Sequence, residues 1–181
     1  MNIVILTLFI LLSFNSVAEE HCEDSAQSPS GYVEPSERFI VDTTAGTVFD
    51  TETGLMWQQC ELGSSYNADT QRCEGNPQGI NWESALYASK ESSYAAYNDW
   101  FLPNIKELIT IVEHHCSSPA LSVEYFLFSD IQNSREEFVY WSSTTDSRSV
   151  QRAWVVQSSN GIVLPHLKEK KGRVRLVRYA K

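Results

Sequence analysis

Residues 99–112, Asp-Trp-Phe-Leu-Pro-Asn-Ile-Lys-Glu-Leu-Ile-Thr-Ile-Val, constrain the fold more than any other stretch of the chain. The first four read as a short buried strand, Asp99–Leu102. Pro103 discourages extension of a helix upstream, and Asn104 stands three residues before Glu107, the spacing of a capping box. Behind that cap, Ile105, Leu108, Ile109 and Val112 fall at i, i+3, i+4 and i+7, which makes one apolar stripe. The pattern predicts a strand turning directly into an amphipathic helix that ends near Cys116–Pro119. A second helix is predicted upstream, capped by Asn81, with Trp82, Ala85, Leu86 and Ser89 on one face.

Strands surround these helices. Arg38–Val41 gives a short one, and Ala45-Gly46 a turn. Thr47–Phe49 and Leu55–Trp57 flank Asp50-Thr51-Glu52-Thr53-Gly54, a hairpin whose glycine takes the positive-φ position. The C-terminal third is β-rich: Phe138–Ser143, Ala153–Val156, Gly161–Leu164 and Arg173–Arg178 are predicted strands, with Asn160-Gly161 at the core of the turn between the second and third. The last strand alternates, Val174 and Leu176 on one face and Arg173 and Arg175 on the other. The aromatic stretch 121–130, LSVEYFLFSD, fits neither period cleanly. The fold class that follows is α+β, with two helices and antiparallel sheet.

The N-terminus speaks to compartment. Residues 3–12, IVILTLFILL, are an apolar run of ten, followed by Ser16 and Ala18 at the −3 and −1 positions of a cleavage site. The run is shorter than the roughly 20 residues of a membrane-spanning helix, and no later segment supplies a transmembrane anchor. The expected organisation is a signal peptide at 1–18, an irregular segment at 19–37 and one domain at 38–181, periplasmic or secreted. At 181 residues with 42% hydrophobic content, the chain can build one good core. Its four cysteines, Cys22, Cys60, Cys73 and Cys116, suit an oxidising compartment and allow three pairings. Cys60 with Cys73 would close a short polar loop, and Cys22 with Cys116 would then staple the N-terminal segment to the body. The competing reading, a metal site of cysteines with His114-His115, lacks any C-x-x-C spacing, and adjacent helical histidines point about 100° apart.

Charge is uneven. Residues 168–181 hold seven of the fourteen cations and one anion, Glu169, while the rest carries 22 acids against seven bases. With a net charge of −9 this is not a nucleic-acid footprint. The basic end reads either as a solvated edge strand or as a docking surface for a sulfated or carboxylated polymer. The candidate ligand contacts are Lys168, Lys170, Lys171, Arg173, Arg175 and Arg178.

Thr47-Val48-Phe49-Asp50, Thr53-Gly54-Leu55-Met56-Trp57, Trp82 with Ala85, Asp99–Leu108, Tyr140-Trp141-Ser142-Ser143-Thr144 and Val174 with Val177-Arg178 occur in an order that resembles the bacterial Lcl C-terminal domain family, long catalogued as a domain of unknown function. The resemblance spans about residues 38–179. It implies a compact α+β domain of an exported bacterial protein, C-type-lectin-like in fold. The family's namesake closes a collagen-like adhesin that binds sulfated glycosaminoglycans, and no catalytic residues are agreed for the family. Two positions depart from its pattern: Phe101 stands where Arg is common after Asp-Trp, and Leu176 where a cysteine often precedes the closing Val-Arg.

Chemical motifs are sparse. No G-x-S-x-G elbow, phosphate-binding loop or dinucleotide fingerprint is present. The formylglycine-generating enzymes share a related fold, yet their paired late cysteines have no counterpart after Cys116. No cofactor is called for; calcium has only the argument that Asn98-Asp99 precedes Leu102-Pro103-Asn104, without the E-P-N or Q-P-D triplet of sugar-binding lectins. Two readings remain. One is a binding module for an anionic glycan or cell-surface partner, using the basic end and aromatics such as Tyr66 or Tyr179. The other is an assembly domain of an envelope complex, docking protein partners through an apolar patch around Tyr125-Phe126-Leu127-Phe128.

Overall fold

A computed structural model describes residues 21–22, 35–77, 79–129 and 138–180. The predicted signal peptide and most of segment 19–37 lie outside the described residues. Two short elements fall within that segment: strand β1 (His21–Cys22), and helical turn α1 (Pro35–Arg38), which runs one residue past it. Then follow β2 (Phe39–Asp42), β3 (Thr47–Asp50), β4 (Leu55–Gln58), β5 (Ser64–Asn67), β6 (Arg72–Gly75), helix α2 (Trp82–Lys90), helix α3 (Ile105–Leu108) and β7 (Cys116–Ser117). The chain closes with β8 (Val139–Thr145), β9 (Arg152–Gln157), β10 (Val163–Leu167) and β11 (Val177–Tyr179). The architecture is α+β and all named sheets are antiparallel: a four-stranded sheet β11-β4-β3-β2, a three-stranded sheet β10-β9-β8, and two-stranded ladders β1-β7 and β5-β6. Among the described residues no helix is long and apolar enough to cross a membrane.

Three hairpins share one loop design. Loops 43–46, 51–54 and 158–161 each end on a glycine with φ of 67°, 70° and 69°. Each glycine N–H returns to the carbonyl four residues back: Gly46 to Asp42 (2.8 Å), Gly54 to Asp50 (2.9 Å) and Gly161 to Gln157 (2.9 Å). The left-handed fourth position is what requires glycine. Asn160 therefore does not form a two-residue Asn-Gly turn with Gly161; its side chain accepts from the Ile162 N–H at 3.0 Å.

The second hairpin is anchored by a buried carboxylate. Asp50 accepts from Arg38 Nε (2.8 Å) and Nη2 (2.6 Å), from Thr53 Oγ1 (2.7 Å) and from the Glu52 N–H (3.1 Å). Burial alone would raise its pKa; the bonds from Arg38 and Thr53 outweigh that and hold it below the ordinary 3.8.

Two cores result. The first joins Val48, Trp57 and Val177 of the four-stranded sheet to Tyr140 and Val156 of the other, with Leu108 and Ile111 alongside. The second packs Ala85 of α2, Trp100 and Leu102 against Trp141, Ala153, Val155, Val174 and Leu176.

Both capping predictions hold: Asn81 Oδ1 accepts from the Ser84 N–H, and Asn104 with Glu107 forms the full capping box. The second helix is shorter than expected. After Leu108 the chain tightens into a 3-10 turn, Ile109–Ile111. Its three-residue period places Ile111 beneath Leu108 and swings Ile109 outward, so Ile109 is exposed and the predicted stripe is broken. Asp99–Leu102 makes only a single bridge, Phe101 with Val177, although Trp100 and Leu102 are buried as expected. The polar loop between Cys60 and Cys73 holds β5 and the start of β6, which pair as a two-stranded ribbon. The stretch around Tyr125–Phe128 is interior: Tyr125, Phe126 and Phe128 are buried in the first core, which removes the apolar surface patch expected there.

Cys60 and Cys73 are disulfide-bonded. Cys116 is also in a disulfide, and the backbones of Cys22 and Cys116 pair directly in the β1-β7 ladder. The Cys22 side chain lies outside the described part of the structure.

Because the folded Asp50 pKa is depressed, its stabilisation is complete above about pH 5 and is lost as pH falls through the folded value. Urea denaturation should show Asp50→Asn about 3 kcal/mol less stable than wild type at pH 7, since Arg38 loses its buried partner. The gap should shrink as the pH falls below the ordinary carboxylate range and through the depressed folded value, where the native carboxylate is itself protonated.

Candidate functional site

The six predicted ligand contacts divide into two groups. The C-terminal segment does not form a continuous strand over Arg173–Arg178. Residues 173–176 instead cross between the sheets: the Arg173 N–H donates to Val139 (2.8 Å) and its carbonyl accepts from Trp141 (3.0 Å), while Leu176 accepts from Gln58 (3.1 Å). The predicted alternation is present, with Val174 and Leu176 in the second core. The opposite face, expected to meet solvent, meets a second interior.

The three arginines are used there. Arg173 Nη1 donates to Glu61 Oε2 at 2.9 Å, and its guanidinium lies 3.8 Å from the Phe138 ring centroid. Glu61, itself 1% exposed, also accepts a short hydrogen bond from the hydroxyl of buried Tyr140. Burial, and then the Glu61 charge, push the Tyr140 pKa well up, so it remains a phenol and a donor. Arg175 is 0% exposed. It donates to the carbonyls of Gln58 (3.2 Å), Gln59 and Leu127 (3.2 Å) among the rings of Phe126, Phe128 and Tyr140, and its Nε has no partner. Arg178 forms a bidentate pair with Asp99 (2.6 and 3.0 Å) beneath the Tyr97 ring. The arginine half of the expected basic surface is therefore engaged within the domain: Arg173 and Arg175 serve the buried Glu61 carboxylate and interior carbonyls, and Arg178, itself buried, pairs with the exposed Asp99.

The lysines remain outside. Lys168 sits with its Nζ 3.7 Å from the Trp82 ring centroid and 3.0 Å from Thr145 Oγ1; Lys170 and Lys171 are exposed in the turn after β10. That turn lies beside the one joining β8 to β9. Leu167 pairs with Arg152, and the Lys168 N–H donates to the Gln151 carbonyl at 2.8 Å. The neighbouring turn adds two exposed cations that sequence reasoning missed, Arg148 and Arg152. Arg148 lies 5.2 Å from the Trp154 ring centroid and bonds the buried Asp146 at 3.0 Å. The signal was available: two arginines in a hairpin turn that a three-strand meander returns to the same end as residues 168–171. This tip gathers Arg148, Arg152, Lys168, Lys170 and Lys171 against Glu169 and Asp146. His166 in β10 packs on Trp141 at 5.2 Å, and burial lowers its pKa, so it is neutral near pH 7.

The other nominated residues lie elsewhere. The Tyr66 ring packs over Gly46, and its hydroxyl bonds the Thr43 carbonyl (2.9 Å). Tyr179 is exposed, with its hydroxyl on Glu107 (2.7 Å). Asp99 and Asn104, the residues behind the calcium argument, are engaged by Arg178 and by the α3 cap. Among the described residues no cluster of three His, Cys, Asp or Glu side chains is placed to hold a metal. A groove of about 380 Å³ is lined by Leu62, Gly63, Asn76, Ile80, Ala88 and Val174 and includes none of the tip side chains.

Fold and site together define a disulfide-bonded α+β domain with an internal arginine seam and a cationic tip. Its sequence matches the Lcl C-terminal domain over residues 46–178, and the chain belongs to that family. No curated protein shows a significant match to it.

The two groups of cations predict different mutant behaviour. Arg175→Met should cost about 3 kcal/mol in urea denaturation, since it leaves buried carbonyls without donors. Lys171→Ala should stay within about 0.5 kcal/mol of wild type. Equal stabilities for the two variants would refute the internal role of Arg175.

Proposed function

We propose that the domain is an exported binding module that recognises an anionic partner, a glycan or cell-surface component, through the tip formed by Arg148, Arg152, Lys168, Lys170 and Lys171. The observation that carries this reading is the gathering of five cations on two adjacent turns of a chain whose net charge is −9. A concentrated cationic spot on an acidic protein steers polyanions to one orientation and repels them elsewhere. Arg173, Arg175 and Arg178 are committed to bonds within the domain and are not part of the contact surface. The assembly-domain reading loses the patch at Tyr125–Phe128 on which it relied, since Tyr125, Phe126 and Phe128 are interior.

Immobilised heparin, as a generic sulfated polymer, tests the reading. Wild-type protein should be retained at about 50 mM salt and released as screening shortens the Debye length. A variant carrying Ala at Arg152, Lys170 and Lys171, which keeps Arg148 on the buried Asp146 and Lys168 on Trp82, should elute at markedly lower salt with an unchanged melting temperature. Passage of the wild type at low salt, or undiminished retention of the variant, would refute the proposal.

A further inference from the structure

We infer that the tip docks on an anionic lipid surface, inserting Val150 and Leu167 among the head groups while the surrounding cations meet the phosphates; this rests on the reading of the tip as an anion-binding site. Val150, in the turn between β8 and β9, is 76% exposed, and Leu167, at the end of β10, is 39% exposed. They occupy neighbouring turns, because Leu167 pairs with Arg152 and Lys168 bonds Gln151, the residue after Val150. Two aliphatic side chains are thereby set among Arg148, Arg152, Lys168, Lys170 and Lys171.

The chemistry favours lipid over a soluble polymer. A sulfated or carboxylated chain is satisfied by the cations alone and gains little from an exposed valine. An interface gains from both, since aliphatic groups enter the boundary with the acyl chains while Lys and Arg reach anionic head groups. The rings nearest the tip, Trp82 and Trp154, already carry Lys168 and Arg148 on a face, so they are not open platforms for a sugar ring. The turns are also held in shape: Asp146 accepts from the Arg148 N–H (3.1 Å), and the Arg152 N–H donates to the Ser149 carbonyl (3.0 Å). Glu169 is the exposed anion of the tip, and Asp146 is buried beneath Arg148.

Co-sedimentation of the purified protein with vesicles tests this, using phosphatidylcholine alone and phosphatidylcholine with about 30 mol % phosphatidylglycerol. Binding should require phosphatidylglycerol and fall steeply with salt. The double substitution Val150→Ser with Leu167→Ser should weaken vesicle binding about tenfold, because apolar insertion is lost, while leaving heparin retention and melting temperature unchanged. Heparin retention without vesicle binding would overturn the lipid inference and leave the anionic-partner reading standing. Vesicle binding that the double variant retains in full would overturn it too, since the aliphatic side chains would then contribute nothing. Failure to bind either probe would overturn both readings.

Discussion

The fold depends on how residues 173–177 pass between two sheets that share no ladder. That crossing buries a backbone whose hydrogen-bond partners are spread over both sheets, beside the buried rings of Trp141 and Tyr140. Backbone bonds to Val139, Trp141, Leu62 and Gln58 satisfy part of the demand. From the opposite face Arg173 and Arg175 serve acceptors of the neighbouring segments, the Glu61 carboxylate and three main-chain carbonyls. Arg175 closes the carbonyls of Gln58, Gln59 and Leu127 at once, tying β4, the segment after it and the aromatic stretch to the crossing strand. A buried cation is expensive to desolvate and is tolerated here because carbonyl dipoles and aromatic faces surround it, with the Glu61 carboxylate held by Arg173 two residues away.

The same requirement explains why a uniformly basic C-terminal sequence is sorted into two populations. A planar guanidinium offers five donors in a fixed fork and is weakly hydrated, so it can serve several acceptors in a closed space. An ammonium is strongly hydrated and loses more on burial. Arg173, Arg175 and Arg178 accordingly go inside, and Lys168, Lys170 and Lys171 stay in the preceding turn. In this run residue type and place coincide, lysines in the exposed turn and arginines along the segment that follows, whereas Arg148 and Arg152 stay exposed beside the neighbouring turn.

Local signals were legible where the structure obeys a single local cause. The capping box at Asn104 and Glu107, the Asn81 cap and the glycine of loop 51–54 all follow from short-range chemistry. Readings failed where tertiary packing decides. Ile109 satisfies a helical stripe, but the helix tightens after one turn to bring Ile111 into the core. Tyr125–Phe128 lacks a clean period because it fills the gap between elements, with Phe126 edge-on to both Phe39 and Trp57. Alternation along 173–176 was read correctly, yet a period-2 pattern with arginine on one face implies solvent only if nothing covers that face.

The cationic tip illustrates a different limit, one of topology. Arg148 and Lys168 are twenty residues apart and no motif links them. Their proximity follows from β8, β9 and β10 being a meander, in which the turn before β9 and the turn after β10 return to one end. Had the strands been arranged with a crossover, the same two turns would face opposite ends, and the lysines would have only the internal arginines for company. The tip therefore depends on strand order rather than on local sequence, and its chemistry becomes visible only when the charges of both turns are counted together with the aliphatic side chains set between them.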